Sequence, residues 1–426
     1  MPASLPDTKY LHDMTQPVVT ALPACLKAAA LITLVFLYGC APPGPKIEPT
    51  PLSTISPPAG QSSAKFDSLW SASIGGEDKR RSTRFVPYVD ETGVYAAAID
   101  GNVVRLDATN GTRPWRRDLG VRLSTGVGGD GKHVYVASRD GDVYALDKQS
   151  GETTWTQRMS SEILVRPATA QTSRVVIAGD AADGGVDELV VVRASDGNIS
   201  ALDIDDGEVL WTVRFEPPAL TLQGYSEPLV LRSGILAGLE DGKLVALSRN
   251  GGELLWESTV SYPSGRSEVE RLVDIDANLL IDEAHIYAVT YQGNLVQIEP
   301  QRGSIEWSES LSSVAGMAQD SRHLYVTLDD SEVVAVTKSD GNVVWRQNAL
   351  RGRSLSGPST ISEERIVVAD FEGYLHVLDS DSGELVGRKR AGSSAAGKQL
   401  IAGQAGADGT IIMQNRGARV YALRVE

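Results

Sequence analysis

The strongest constraint on what this chain can fold into is a unit that its body repeats. VYAAAIDGNVVRLDATNGTRPW (94–115), VYVASRDGDVYALDKQSGETTW (134–155), ILAGLEDGKLVALSRNGGELLW (235–256), IYAVTYQGNLVQIEPQRGSIEW (286–307) and LYVTLDDSEVVAVTKSDGNVVW (324–345) align with one another. A longer version closes with LVVVRASDGNISALDIDDGEVLW (189–211), and IVVADFEGYLHVLDSDSGELVG (366–387) repeats everything except the final tryptophan. Trp115, Trp155, Trp211, Trp256, Trp307 and Trp345 fall 38 to 56 residues apart, the span of one four-stranded blade in a radial repeat.

Each unit has a physical reading. Its first run alternates apolar and polar residues, as a half-buried strand does, and Asp-Gly, Gln-Gly or Glu-Gly then supplies the positive φ of a tight hairpin. A second alternating run ends at a turn built on Gly111, Gly151, Gly207, Gly252, Gly303, Gly341 or Gly383, and the next strand carries the tryptophan. Because side chains alternate along a strand, that ring projects into the gap between neighbouring blades, where it buries roughly 150–250 Å². The chain ends with TIIMQNRGARVYALRVE (410–426), two strands preceded by the candidate GKQLIAGQAGADG (397–409), with no outermost strand after them. Leu69 and Trp70 carry the missing strand at the other end of the body. The expected fold is all-β: an eight-bladed β-propeller of four-stranded antiparallel sheets over residues 66–426, closed by pairing the N- and C-terminal strands so that no edge is left unpaired. Seven blades, with Trp70 in a separate cap, is the alternative.

Upstream of the repeats the chain reads as a targeting segment. Lys27 precedes the apolar run 28–37, too short to span a bilayer and suited to a signal-peptide hydrophobic region within residues 1–39. Leu37-Tyr38-Gly39-Cys40 resembles the bacterial lipobox, with a tyrosine bulkier than that pattern usually shows and Cys40 as the lipid attachment residue. Met14 is a second candidate start. Residues 40–65 are rich in proline and poor in apolar side chains, and are expected to form an extended tether. Ala41 after the cysteine, rather than Asp, looks like a signal for the outer membrane, so a lipid-anchored protein on its periplasmic face is expected.

Composition removes several function classes. The net charge of −15 and pI near 4.9 argue against a nucleic-acid partner. The two cysteines, Cys25 and Cys40, precede the repeats, so the body has no disulfide and no thiol chemistry. Of the five histidines, His133, His285 and His323 occupy the same point in three repeats, His376 lies in an alternating strand, and His12 is near the start; none is spaced as a metal box. No Gly-x-Ser-x-Gly elbow is present. The Asp-Gly pairs recur in every unit as turns rather than as a catalytic pair of carboxylates. No catalytic residue, metal or cofactor is expected.

Small residues in the first strand and Gly-x-x-x-Trp at the end resemble the repeats of pyrroloquinoline quinone dehydrogenases. Eight such blades behind a lipobox are more similar to the BamB family, lipoproteins of the outer-membrane β-barrel assembly machinery, across the region from Trp70 to Leu423. The most specific matches are 218–228 (PALTLQGYSEP), 267–276 (SEVERLVDID) and 368–376 (VADFEGYLH). That resemblance implies a non-enzymatic scaffold that binds a periplasmic POTRA domain of BamA and helps assemble and insert β-barrel precursors. It implies Leu220 and Leu222 as apolar anchors, and Asp274 and Asp276, beside Arg271, as carboxylates facing basic groups on the partner. Gln223 stands where the family usually has arginine, and an amide cannot replace a bidentate guanidinium. Read from the residues alone, two leucines two apart in a turn-rich stretch could be core or exposed, and the charges at 271–276 could be solvated. The alternative function is a quinone-dependent oxidoreductase or small-ligand propeller. Ala181–Glu188 is an insertion with no assigned use.

Overall fold

The alternating runs fold as short strands in eight four-stranded antiparallel sheets, and the computed structural model contains no helix among the described residues. Those residues are 47–426, except 56, 58–62, 77–84, 172–174, 178–188, 223–225, 392–400 and 403–408. The signal region, Cys40, Gln223 and the 181–188 insertion therefore lie outside them.

Blades one to seven each take four consecutive strands, from Tyr88–Asp90 through Leu385–Arg390. Blade eight is assembled from both ends of the chain: Ile401–Ala402, Thr410–Gln414 and Arg419–Val425 are completed by Phe66–Ser73, with Phe66 opposite Val425 and Ser73 opposite Arg419. The eight-bladed expectation and its closure by terminal strands both hold. In blades one to seven the first-to-second and third-to-fourth strand turns share one face of the ring. The second-to-third turns and the connections to the next blade share the other, called the connection face below.

The core is not a single mass. It is divided into eight apolar clusters, each shared by two adjacent blades, such as Val143, Ala145 and Trp155 with Val190, Val192 and Leu202. Opposite four of the tryptophans stands an alanine, Ala145, Ala201, Ala246 or Ala335, followed at once by a break in register that opens room for the ring.

Each indole clasps the blade ahead of it. Trp115 Nε1–H donates to the Lys148 carbonyl at 2.9 Å, and Trp155, Trp211, Trp256, Trp307 and Trp345 donate to Ile204, Arg249, Pro300, Lys338 and Ser380 at 2.7–2.9 Å. Trp70 closes the circle by donating to Ala108 at 2.8 Å. The ring lies flat on the turn glycine of that next blade: Gly111, Gly151, Gly207, Gly252, Gly303, Gly341 and Gly383 all have φ between +69° and +78°, and a Cβ on any of them would sit 2.4–2.7 Å from an indole carbon. Glycine is thus required twice, by the left-handed backbone and by the approach of the ring.

All seven tryptophans in the sequence are used in this way, and the eighth junction explains why its tryptophan is missing. Gly387 occupies the tryptophan register of blade seven, opposite Val377. Blade eight has no third turn for an indole to clasp, because the two chain ends meet there: Lys65 and Glu426 exchange N–H···O bonds of 3.0 and 2.9 Å. Ala64 fills the place instead. Its N–H donates to the Val386 carbonyl at 2.8 Å, and its methyl lies where a Gly387 side chain would begin.

Part of the expected tether is not free. Thr50, Ser53 and Ile55 rest against blades six and seven, the last in the cluster of Trp345 and Leu350. The proline-rich stretch has one apolar residue at the right place and carbonyls that arginines can reach, so low average hydrophobicity did not keep it in solvent.

Candidate partner-binding face

Two connections dominate the connection face. One runs from Val209–Arg214 to Leu229–Leu231, the other from Leu254–Thr259 to Leu280–Ile281. The first turns on Pro217 and Pro218 and leaves Leu220 43% exposed, with Leu222 half-buried. In the second, the Glu270 carboxylate accepts the N–H groups of Arg266 and Ser267 at 2.7 and 3.1 Å while Glu270 N–H donates to Ser267 Oγ. This reciprocal cap holds a short turn that presents Val269 at 60% and Tyr262 at 78% exposure, with Arg271 exposed beside them. Gln292, in the adjacent turn, braces it by donating to the Val269 carbonyl at 3.2 Å.

The chain then dives. Leu272, Val273, Ile275 and Ala277 are buried, and Asp274 and Asp276 are buried with them. Gly238 admits this segment, since a side chain there would meet Ile275 at 2.5 Å. Asp274 is wholly inaccessible; its Oδ2 accepts the Leu222 N–H at 2.5 Å, and its Oδ1 has no hydrogen-bond partner among the described residues. The expectation that this carboxylate faces a partner is corrected: it latches the leucine-bearing connection to its neighbour. Asp276 is likewise interior. Leu220 and Arg271 are the expected site residues that reach the surface, Leu222 does so in part, and Gln223 and Cys40 lie outside the described residues. Tyr262 and Val269 were not singled out from sequence, although Tyr-Pro and Val-Glu-Arg in a turn-rich stretch between two blades were a visible signal.

Burial pushes the Asp274 carboxyl up to about 7 against the pull of the Leu222 amide, with Asp276 and Glu240 adding repulsion and Arg193 opposing it. Arg193 is itself held by Glu240 at 2.6 Å and by the Gly238 carbonyl at 2.6 Å. A carboxyl raised in the folded state favours folding most when protonated, so this contribution is present at acid pH and is lost as pH rises toward 7. Asp274→Asn keeps an acceptor for Leu222 without the charge. We expect it to raise stability at pH 8 by about 1–3 kcal/mol and to leave it little changed near pH 4, as measured by urea denaturation at both pH values. An equal effect at the two would rule the account out.

A cavity of about 510 Å³ is lined by the first strands of blades one to three, at Tyr88, Gly128 and Thr169, and by Glu227 just before the first strand of blade four, with Glu227 bound to Arg166 at 2.7 Å. Among the described residues, no group of three or more His, Cys, Asp or Glu is placed to hold a metal ion. His133 and His323 open the second strands of their blades and His285 directly precedes one.

Known proteins decide the family. The sequence profile described as outer membrane protein assembly factor BamB matches residues 99–347 and 329–426. The BamB of Alkalilimnicola ehrlichii is 38% identical over 76% of this chain and 81% of its own length, and that of Yersinia pestis is 30% identical over 92% and 97%. This chain belongs to the BamB family. A solved BamB, from Moraxella catarrhalis, superposes with a TM-score of 0.73 at 24% identity, covering 84% of this chain and all of that one. The quinohemoprotein alcohol dehydrogenase of Comamonas testosteroni shares the fold at a TM-score of 0.64 and 13% identity, over 84% and 76%. The resemblance drawn from the tryptophan repeats thus reaches both groups, with sequence identity separating BamB from the dehydrogenase.

Proposed function

We infer that this protein is a non-enzymatic scaffold for assembly of β-barrel proteins into the outer membrane, anchored on the periplasmic side through Cys40, and that its connection face binds a POTRA domain of BamA. The observation that carries the reading is the pair of adjacent connections that expose Leu220, Tyr262 and Val269 beside Arg271, in a chain whose relatives are named assembly factors. Apolar anchors amid polar surroundings are how small interfaces concentrate their energy. Asp274 and Asp276 act from inside, by fixing the shape of the ledge that Leu220 and Leu222 form.

The test is co-purification with BamA from solubilised envelopes. Leu220→Asp combined with Val269→Asp, both at exposed positions, should leave the fold intact and reduce recovered BamA at least about tenfold. Asp274→Ala should reduce it as well by freeing the Leu222 amide, whereas Asp274→Asn should retain it. Undiminished recovery with the Leu220/Val269 double variant would exclude this face as the contact.

A further inference from the structure

The segment 50–55 is held by a site built for it on blades six and seven. Thr50 N–H donates to the Arg351 carbonyl at 2.9 Å, and the Thr50 carbonyl accepts from Arg353 Nη1 at 3.2 Å. The Ser53 carbonyl accepts from Arg388 Nη1 at 2.7 Å, and Ile55 packs against the apolar cluster of Tyr325, Trp345 and Leu350. Both arginines are fixed from behind. Asp370 accepts from Arg353 Nε at 2.8 Å and from His376 Nε2 at 3.0 Å, and it shares the Arg353 Nη2 group with Glu372. Arg388 Nε donates to His376 Nδ1 at 3.0 Å, which places the imidazole proton on Nε2. Arg353, Asp370 and His376 are all buried. Surface arginines that met a passing chain by chance would not be aimed by a buried carboxylate and a buried imidazole.

Arg351 and Arg353 lie in the connection between blades six and seven, between Val343–Gln347 and Ser359–Ser362, so this seat is on the connection face. The geometry points to residues 50–55 acting as a clamp that makes the chain leave the propeller from its connection face, so that a lipid on Cys40 holds that face toward the bilayer. The orientation rests on the lipoprotein reading given above; the clamp itself does not. Chain length makes the difference. From Cys40 to Thr50 is ten residues (50 − 40), a leash of at most about 35 Å, whereas release back to Ala64 would give 24 residues (64 − 40) and about 80 Å. A blade strand of five residues is only about 17 Å long, so the long leash would impose no preference between the faces, whereas the short one, leaving from the connection face, favours that face toward the membrane. The net charge of −15 gives the propeller no attraction of its own for an anionic lipid surface.

A mature chain beginning at Cys40 has no other cysteine, so a single introduced one can be labelled. Asn348→Cys and Ser339→Cys place a fluorophore at opposite ends of the outer strand of blade six, on the connection face and on the other face. In vesicles carrying acceptor lipid, energy transfer from position 348 should exceed that from 339 several-fold, and replacing residues 50–55 by a Gly-Ser stretch of equal length should abolish the difference. Equal transfer with the segment intact, or a difference that survives its replacement, would overturn the orientation. Two further readouts on the same chain keep the readings apart: mass spectrometry reports acylation of Cys40, and hydrogen exchange reports the Thr50 amide, expected to be at least about tenfold slower with Arg353 and Arg388 present than in the Arg353→Ala, Arg388→Ala variant. An unacylated Cys40 overturns the anchor and the orientation with it, while fast exchange at Thr50 in an acylated chain overturns the clamp and the orientation but leaves the anchor.

Discussion

Gly303→Val, at a buried turn glycine, is expected to cost roughly 3–5 kcal/mol. Two effects combine at that position. Its φ of +71° is in the left-handed region, and a Cβ there would lie 2.4 Å from Trp256 Cε3. The indole cannot move aside, because its Nε1 is tied to the Pro300 carbonyl at 2.9 Å and its ring is buried in the cluster shared by blades four and five. Two other glycines separate the contributions. Gly120 has φ +67° with open space around it, so Gly120→Ala should lose only about 1 kcal/mol. Gly131 has open space and no left-handed φ, and Gly131→Ala should be nearly neutral. Urea denaturation of the three variants should rank them in that order, and a Gly303→Val protein within 1 kcal/mol of the parent would show that the ring does not rest on the turn as described.

Trp70→Ala should cost up to about 3–5 kcal/mol, the range for large aromatics, although its ring is only partly buried, and its consequence should differ in kind from that of Trp256→Ala. The strand that carries Trp70 is joined to its blade by hydrogen bonds alone, where blades one to seven have a covalent turn. Loss of the indole's bond to Ala108 therefore weakens the one strand through which the chain itself passes from blade eight into blade one. Hydrogen exchange should show strands Thr410–Gln414 and Arg419–Val425 losing protection in Trp70→Ala at denaturant concentrations where blades two to five remain protected. Trp256→Ala should instead lower the global midpoint with no region opening first. Uniform protection loss in both variants would count against the terminal strand as the weak seam.

Much of this architecture was legible because each blade repeats the same solution to the same packing problem. Alternation gave the strands, Asp-Gly the hairpins, and the tryptophan spacing the blades. Even the irregular seventh repeat, without its tryptophan, was visible, although its reason was not: only the meeting of Lys65 and Glu426 shows that no turn exists there to be clasped. The site was less legible. Asp274 and Asp276 stand in a stretch of charged residues, and nothing in the string distinguishes a carboxylate that faces water from one that accepts a buried amide 52 residues away. The alternation of Leu272, Val273, Ile275 and Ala277 around them was the available sign that the segment turns inward. Residues 50–55 were misjudged for a related reason. Composition reports how much apolar surface a segment can bury on average, whereas a single Ile55 and two backbone carbonyls, met by oriented arginines, are enough to seat it.

The pairing of Phe66 with Val425 has a consequence for how this protein comes into being. Almost the entire polypeptide lies between those two residues, so the loop that must close is close to the longest the chain permits, and its entropy falls due only at the last step. The first seven blades follow one another along the chain, each made of consecutive strands that can pair without waiting for the rest. The ring itself stays unsealed until Arg419–Val425 is available to pair with the strand from Phe66. A chain shortened by even one C-terminal strand would leave that partner permanently without a mate, and premature termination late in translation is therefore as damaging here as it would be early.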